Sequence, residues 1–359
     1  VTAKTFHKLG IAEINRETEH AVSIVFAVPE DLKADYAYIQ GQHIVLRHQI
    51  GGEDLRRNYS ICASVRDDEL RVAVKEIKGG RFSTFANREL KVGDTLDVFP
   101  PAGHFYTELD AGAAKAYVGF AGGSGITPVY SIIKTVLEEE PKSRFTLFYG
   151  NRNKSSIIFM EKLAGLKNLY MDRLGIFHVL EEEQNEVEAF NGLLNREKCD
   201  LMLDKFVDVS RIDEVFICGP APMMDAAEAS LLAHGVDHAA IHIERFISGP
   251  DDVPGEASAR ANQTAVEGAE VNVTINGVQS SFIFAGDEDS ILDAAIDAGA
   301  DAPYSCKGGA CGTCRAKLVE GKVDMAVNYA LEQDELEAGY VLTCQSKPQS
   351  DRVVLDFDS

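Results

Sequence analysis

Apolar and polar positions alternate with a period of two along the first 108 residues, the signature of strands with one buried face. The alternating runs are short, at 21–28, 43–47, 60–65, 70–76 and 95–99. Turn-forming groups part them: Gly51-Gly52, Asp67-Asp68, Gly79-Gly80 and Val92-Gly93-Asp94. Many short strands at this spacing predict an antiparallel barrel or sandwich. A short helix is expected over 82–87, just behind Gly79-Gly80.

From Lys115 the pattern changes to strand, loop and helix. An apolar run at 116–120 enters a glycine-rich loop, and 129–138 keeps helical spacing with Pro128 near its first turn. Further apolar runs at 145–149 and 215–218 are joined by helical stretches at 159–166 and 195–206, and another follows at 225–234. Alternating β and α units predict a parallel sheet with ligands at the strand C-termini. A third pattern starts near residue 269. Alternating runs at 270–275 and 281–284 flank Asn276-Gly277, the strongest short hairpin signal. A helix follows over 290–298 with Ser290 as its cap, then a strand at 315–320, a short helix near 332–337 and a strand at 352–357. The stretch 248–264 is rich in Pro, Gly, Ser and Ala and reads as a tether; its composition suits a mobile or a fixed connector. The expected division is 1–110, 111–248, a linker at 249–268, and 269–359.

Composition narrows the class. At 359 residues, 45% hydrophobic and 26% charged, the chain is a multidomain globular protein. It contains no run of 18 apolar residues, so no transmembrane helix is expected. The first residues lack the apolar stretch of a secretory signal, and seven cysteines then set the expectation of a reducing cytoplasm. A net charge of −22 argues against nucleic acid or an anionic membrane as partner. Half of that excess, 17 acidic against 6 basic residues, lies in 265–359. Solubility would account for it, and so would steering onto a basic patch of a partner protein.

Candidate chemistry begins with cysteine. Cys306, Cys311 and Cys314 stand at C-x4-C-x2-C spacing, and Cys344 follows after 29 intervening residues. Four thiolates in this order are what a plant-type 2Fe–2S cluster needs. Gly308, Gly309, Ala310 and Gly312 let the backbone wrap closely and point N–H groups at sulfur. A zinc site would more usually show paired C-x2-4-C units, and a disulfide framework an even cysteine count. In the first segment, Arg57-Asn58-Tyr59-Ser60 is expected to open a strand, and Gly79-Gly80-Arg81-Phe82-Ser83 precedes the short helix. An arginine can fork onto phosphate, a tyrosine can stack on a flat heterocycle, and glycines before a helix suit a pyrophosphate. In the second segment, Gly122-Gly123-Ser124-Gly125-Ile126-Thr127-Pro128 and Cys218-Gly219-Pro220-Ala221-Pro222-Met223 each follow a strand and enter a helix. Taken singly, each of these also occurs in purely structural roles. Arg152, just after the second strand of this segment, can receive the 2′-phosphate of NADPH, although stacking on adenine would suit NADH.

Taken together, R-N-Y-S, the glycine–serine turn, G-G-x-G-x-x-P and C-G-P-x-x-M resemble the ferredoxin–NADP reductase superfamily. The resemblance implies FAD, with its ring against Tyr59 and Ser60, Asn58 and Val74 nearby, and Arg57, Gly80 and Ser83 at the diphosphate. It implies NAD(P)H over Gly122, Gly123, Gly125, Thr127 and Pro128, beside Gly219, Pro220 and Met223. Cys218 would lie next to the nicotinamide, while Glu244 and Phe246 would cover the flavin. Ser60, Cys218 and Glu244 form the implied catalytic set. Residues 269–359 resemble the β-grasp fold of plant-type ferredoxins. The domain order resembles oxygenase reductases, above all the reductase components of phenylacetyl-CoA epoxidase systems; those of 3-ketosteroid and Rieske-type hydroxylases share the layout. This implies electron flow from NAD(P)H through FAD and the 2Fe–2S cluster to an oxygenase docked on the acidic ferredoxin domain. The alternative is an electron-carrier module whose flavin site has degenerated.

Overall fold

The computed structural model describes residues 5–246 and 263–359; the expected tether at 248–264 falls almost wholly outside the described residues. Six strands make the first sheet: β1 (His7–Thr18), β2 (Ala21–Ala27), β3 (His43–Ile50), β4 (Glu53–Ser60), β5 (Leu70–Lys75) and β6 (Thr95–Ala102). They pair antiparallel in the order β4-β3-β6-β1-β2-β5. The two edges meet through a bridge between Ile61 and Val72, and Cys62 N–H donates to the Arg71 carbonyl at 2.8 Å. The sheet is therefore a closed barrel. Leu9, Ile24, Ile44, Val72 and Val98 fill it. Helix α1 (Arg81–Arg88) packs Phe82 and Ala86 onto that core.

Gly51 and Gly52 have φ of +62° and +84°. Two consecutive positive φ values are the two-residue hairpin geometry that matches strand twist. This turn fixes the register, with Ile50 opposite Glu53 and His43 opposite Ser60. Arg57–Ser60 consequently closes a strand instead of opening one, and the expected strand at 60–65 leaves the ladder after Ile61. The cause is the charged run 53–57, whose backbone pairs with β3 although its side chains carry no apolar alternation.

The second layer alternates β7 (Ala116–Gly122), α2 (Ile126–Glu139), β8 (Arg144–Asn151), α3 (Met160–Leu169), β9 (Leu174–Leu180), α4 (Arg196–Phe206), β10 (Glu214–Cys218), α5 (Ala221–Ala233) and β11 (Ile241–Glu244). Every pairing in this sheet is parallel, in the order β11-β10-β7-β8-β9. Strand order reverses between β7 and β10, and such a switch point leaves a crevice at the strand C-termini. Helix α2 starts earlier than the spacing predicts, with Pro128 as its third residue, where a missing N–H breaks no helical bond.

The third domain runs β12 (Ala269–Ile275), β13 (Val278–Phe284), α6 (Ile291–Asp297), β14 (Arg315–Glu320), β15 (Val323–Met325), α7 (Gln333–Glu337), β16 (Tyr340–Leu342), β17 (Ser346–Pro348) and β18 (Arg352–Asp356). Its main sheet is mixed, in the order β13-β12-β18-β14-β16. Ser290 caps α6 by accepting from Asp293 N–H at 3.2 Å, and Leu292 and Ile291 are buried against the sheet. The fold class is thus barrel, parallel α/β sheet and ferredoxin domain in series. Among the described residues no helix is long and apolar enough to cross a membrane.

Candidate functional site

A cavity of about 480 Å³ opens between the barrel and the parallel sheet. Arg57, Asn58, Tyr59 and Ser60 line it from β4, and Gly80 and Ser83 from the start of α1. Thr127, Gly219 and Pro220 line the opposite wall, and Phe246 stands at the edge. Val74 is not among them: it is fully buried in the barrel core. Gly122, Gly123, Gly125, Pro128 and Met223 lie behind the wall and shape it. A side chain on Gly122 would meet Pro220 Cδ at 2.6 Å and Met223 Sδ at 2.8 Å. One on Gly125 would come within 2.0 Å of the Cys218 carbonyl oxygen. The loops after β7 and β10 therefore interlock, which glycine alone permits.

The cavity suits an anionic dinucleotide. Neither α1 nor α2 has a side-chain cap, because Gly80 and Gly125 occupy the capping positions. The start of α1 thus brings N–H groups to the crevice, and α2, entered through a tight turn at Gly123–Gly125 whose carbonyls take the Ile126 N–H, adds a second positive dipole end. Ser83 Oγ accepts from Ile77 N–H at 3.1 Å and holds the turn ahead of α1. Tyr59 rests against Phe82, ring centres 5.8 Å apart, which fixes its ring at the cavity wall.

At the inner corner, Ser60 Oγ donates to Glu244 Oε2 at 3.0 Å. Glu244 sits at the end of β11, in register with Cys218 on β10. Cys218 is fully buried, and burial, reinforced by Glu244, pushes its thiol well above the ordinary range. It stays neutral and small. Behind Glu244 stands a residue that the sequence does not single out. His43 Nδ1 is 3.8 Å from Glu244 Oε1; its ring is buried, and neither nitrogen has a hydrogen-bond partner. Burial depresses its imidazolium, but Glu244 and Cys311 more than offset this and hold it above the usual value. The sequence does hold a countable signal: reflecting the chain about Gly51-Gly52 puts His43 opposite Ser60.

Lys75 is a second such residue. It lines the cavity two residues after Ala73 on the same strand face, and burial together with nearby Arg152 pulls its ammonium down. Arg152 is exposed at the end of β8 and does not line the cavity. Among the described residues neither cation has an ion-pair partner.

The four cluster-loop cysteines are all buried and unbridged. Cys306 lies within hydrogen-bonding reach of Cys311, and Cys344 of Cys314, giving two pairs. No three ligand-type side chains converge on one ion position among the described residues. Two pairs suit two irons better than a single tetrahedral ion. Gly308 N–H donates to Cys306 Sγ at 3.3 Å. Lys307, Gly309 and Gly312 have φ of +52°, +75° and +66°, the curvature of a loop wrapped around a compact group. Ser305 Oγ and Thr313 Oγ1 are buried without partners, as expected of hydroxyls placed beside acceptor sulfurs.

Comparison with known proteins agrees with this geometry. Residues 9–106 match the oxidoreductase FAD-binding domain family, 120–229 the oxidoreductase NAD-binding domain, and 273–349 the 2Fe-2S iron-sulfur cluster binding domain. The chain is 44% identical over 355 residues to a component polypeptide of the 1,2-phenylacetyl-CoA epoxidase of Escherichia coli K12, covering 99% of this chain and 98% of that one. It is 34% identical to the ferredoxin reductase component of 3-ketosteroid-9-alpha-monooxygenase from Rhodococcus rhodochrous, covering 97% and 96%. Among solved structures, phthalate dioxygenase reductase shares the fold with a TM-score of 0.57 at 24% identity, covering 98% of each chain. Flavin, nicotinamide and cluster domains in one chain make this an NAD(P)H-dependent oxidoreductase that supplies electrons to an oxygenase. Similar to such reductases from end to end, the chain belongs to the ferredoxin–NADP reductase superfamily, among the oxygenase reductases with a 2Fe–2S ferredoxin domain.

Proposed function

We propose that the chain is the cytoplasmic reductase component of a phenylacetyl-CoA epoxidase system, with functional boundaries near residues 110, 248 and 268. The carrying observation is the row Ser60, Glu244, His43 and Cys311, in which each side chain meets the next between the dinucleotide cavity and the cluster loop, along the wall of a second cavity of about 920 Å³. The choice of oxygenase is supported by the 44% identity to the E. coli epoxidase component.

FAD held by the cavity residues would supply hydride acceptance and one-electron return, and a 2Fe–2S cluster held by Cys306, Cys311, Cys314 and Cys344 would supply one-electron relay. The chain's residues supply position and field. Tyr59 offers its ring face to the flavin, with Ser60 and Asn58 at the ring's polar edge. Arg57, Gly80, Ser83 and the uncapped start of α1 hold the diphosphate. The loop Gly122–Thr127 with Pro128, and Gly219, Pro220 and Met223 opposite, keep the nicotinamide crevice narrow. Ser60 orients the Glu244 carboxylate at the transfer corner, and Cys218 keeps that corner uncharged and compact. Phe246 closes the outer side. Lys75 and Arg152 supply positive charge for the nucleotide phosphates, and Arg152 tilts the preference towards NADPH. Cys306 and Cys311 take one iron, Cys314 and Cys344 the other. The acidic ferredoxin domain steers the oxygenase.

Reconstitution tests the reading. With the epoxidase oxygenase component and phenylacetyl-CoA, NAD(P)H consumption should couple to epoxide formation. Coupling to a 3-ketosteroid hydroxylase alone would favour the second reading, which the R. rhodochrous relative supports. For the nucleotide, Arg152→Ala should raise KM for NADPH more than for NADH; a wild-type preference for NADH removes the tilt.

A further inference from the structure

The cluster loop has two unlike edges. Cys314 and Cys344 pack inside the ferredoxin core with Ala316 and Leu342. Cys306 and Cys311 form a separate small group with Ala310. This outer edge faces the barrel, where Cys311 lies against buried His43. Just ahead of it in sequence, Ala302 and Tyr304 meet Arg56 of β4. The guanidinium carbon is 4.0 Å from the centre of the Tyr304 ring, and Nη1 donates to the Ala302 carbonyl at 3.4 Å. Nη2 lies 3.1 Å from Asp54 and 3.9 Å from Asp301. Only 7% of Arg56 is exposed.

Within the barrel this cation is a liability. The hairpin register sets Arg47 directly opposite Arg56, and like charges facing each other weaken a ladder. Asp97 and Asp54 have to neutralise them separately, at 3.4 Å and 3.1 Å. Besides Asp54 and the Phe6 ring, 5.3 Å away within the barrel domain, Arg56 engages the segment leading into the cluster loop. His104 repeats the arrangement, with its ring 3.8 Å from Glu335 of α7 and 3.4 Å from the Ala330 carbonyl. The barrel thus presents Arg56 and His104 to an edge that bears Asp301, Tyr304 and Glu335.

We propose that Arg56 seats the ferredoxin domain on the flavin barrel, and that a basic surface of the oxygenase docks on the same Asp301–Cys311 edge once the seat is vacated. This rests on the oxygenase-reductase reading above. The inner cysteine pair is enclosed by its own domain, so the outer edge serves as both inlet and outlet. Asp301, with 82% of its side chain exposed, is the anion such a partner would meet, while Lys307 on the same edge is neutralised by Asp293. Arg56 is a positioning residue, and it touches neither substrate nor cofactor.

The test uses the full chain loaded with FAD and cluster, as wild type, Arg56→Ala and Arg56→Lys. After mixing with NAD(P)H, flavin bleaching should keep its wild-type rate in all three. Cluster reduction should slow about tenfold in Arg56→Ala, equivalent to ~1.4 kcal/mol, through loss of the ring contact and the charged hydrogen bond. Arg56→Lys keeps the charge but not the planar fork, and should fall between. Small-angle scattering should show a larger radius of gyration for Arg56→Ala. Chains reduced beforehand with dithionite then face ferric cytochrome c, a basic acceptor that takes one electron at its haem iron. The reduced cluster of Arg56→Ala should pass electrons to cytochrome c about threefold faster or more, since a freed charged edge raises the encounter rate. An unchanged radius with cluster reduction within twofold of wild type removes Arg56 from the seat. An expanded chain that cytochrome c oxidises no faster puts the outlet elsewhere. A wild-type chain whose flavin NAD(P)H fails to bleach overturns the underlying reading instead.

Discussion

A methyl group at Gly125 probes how closely the two nucleotide loops approach. The Gly125 backbone, φ −60° and ψ −11°, suits any residue. As a helix N-cap the position favours glycine over alanine only modestly. The main obstacle is steric. The new Cβ would stand 2.0 Å from the Cys218 oxygen, 2.4 Å from the Cys218 carbonyl carbon and 2.8 Å from Gly219 N. All three are main-chain atoms, so no rotamer relieves the clash; the loops must part by about 1 Å or more to restore van der Waals contact. Overpacking of a tight site costs ~1–3 kcal/mol, and a clash of backbone on backbone belongs at the upper end. For a flavin–nucleotide body of this size, about 3 kcal/mol lowers Tm by roughly 6–12 °C. The widened crevice should also raise KM for NAD(P)H. Gly165→Ala is the matched control: it lies in α3 with nothing within 4 Å of the new carbon, so it should gain ~0.5–1 kcal/mol and melt about 1–4 °C higher. Calorimetry with saturating FAD reads both. A Gly125→Ala protein melting within about 2 °C of wild type, less than a 1 kcal/mol effect, would refute the interlocked loops.

Three further outcomes follow from other parts of the molecule. Cys306→Ser should lose the visible bands of the cluster while NAD(P)H still bleaches the flavin, and cytochrome c reduction should fall about tenfold or more, the size expected when an essential relay is removed; undiminished transfer would place the cluster off the path. Ser60→Ala removes the donor to Glu244, a bond to a charged group worth ~1.5–3 kcal/mol, so flavin bleaching should slow about tenfold or more with little change in KM; a pure KM effect would mean that Ser60 only binds. Glu214 lies 2.8 Å from His242 and 3.1 Å from Lys115, and these partners outweigh the opposing effect of burial and hold its carboxyl below the usual value. Its stabilisation is therefore full above the unfolded carboxylate pKa of ~4.3 and fades as pH falls through the depressed folded value. Glu214→Gln should be less stable than wild type at pH 7 and converge with it in acid; a gap that widens in acid would reverse the assignment.

The glycine and cysteine strings disclose most of the architecture because they mark places where chemistry requires a particular backbone. Gly122–Pro128 and Cys218–Met223 are readable as paired loops, and the structure brings them into contact. The place of Arg57–Ser60 within its strand is not readable in the same way, since the charged residues among 53–57 hide a strand in which Leu55 packs on the barrel core and Arg56 reaches the ferredoxin domain. Arg56 and Lys75 are illegible for a related reason, and His43 shows only its pairing position. Each is an ordinary strand residue whose significance comes from what a distant segment sets against it: Glu244 and Cys311, Tyr304, and Arg152. Periodicity reports which face of a strand is buried. It is silent about which domain does the burying.

The bond from Ser60 to Glu244 also bears on how the protein is made. The barrel has all its strands once Ala102 has left the ribosome. The transfer corner waits for β11, because its carboxylate arrives only with Glu244. At about 5–20 residues per second that wait lasts roughly 7–28 s. During it the nascent barrel exposes the cavity wall that the parallel sheet will cover. Flavin captured in that interval would rest on half a site, while capture afterwards would lock two domains together. Cofactor supply during synthesis therefore acts on the docking of the second domain as well as on the loading of the first.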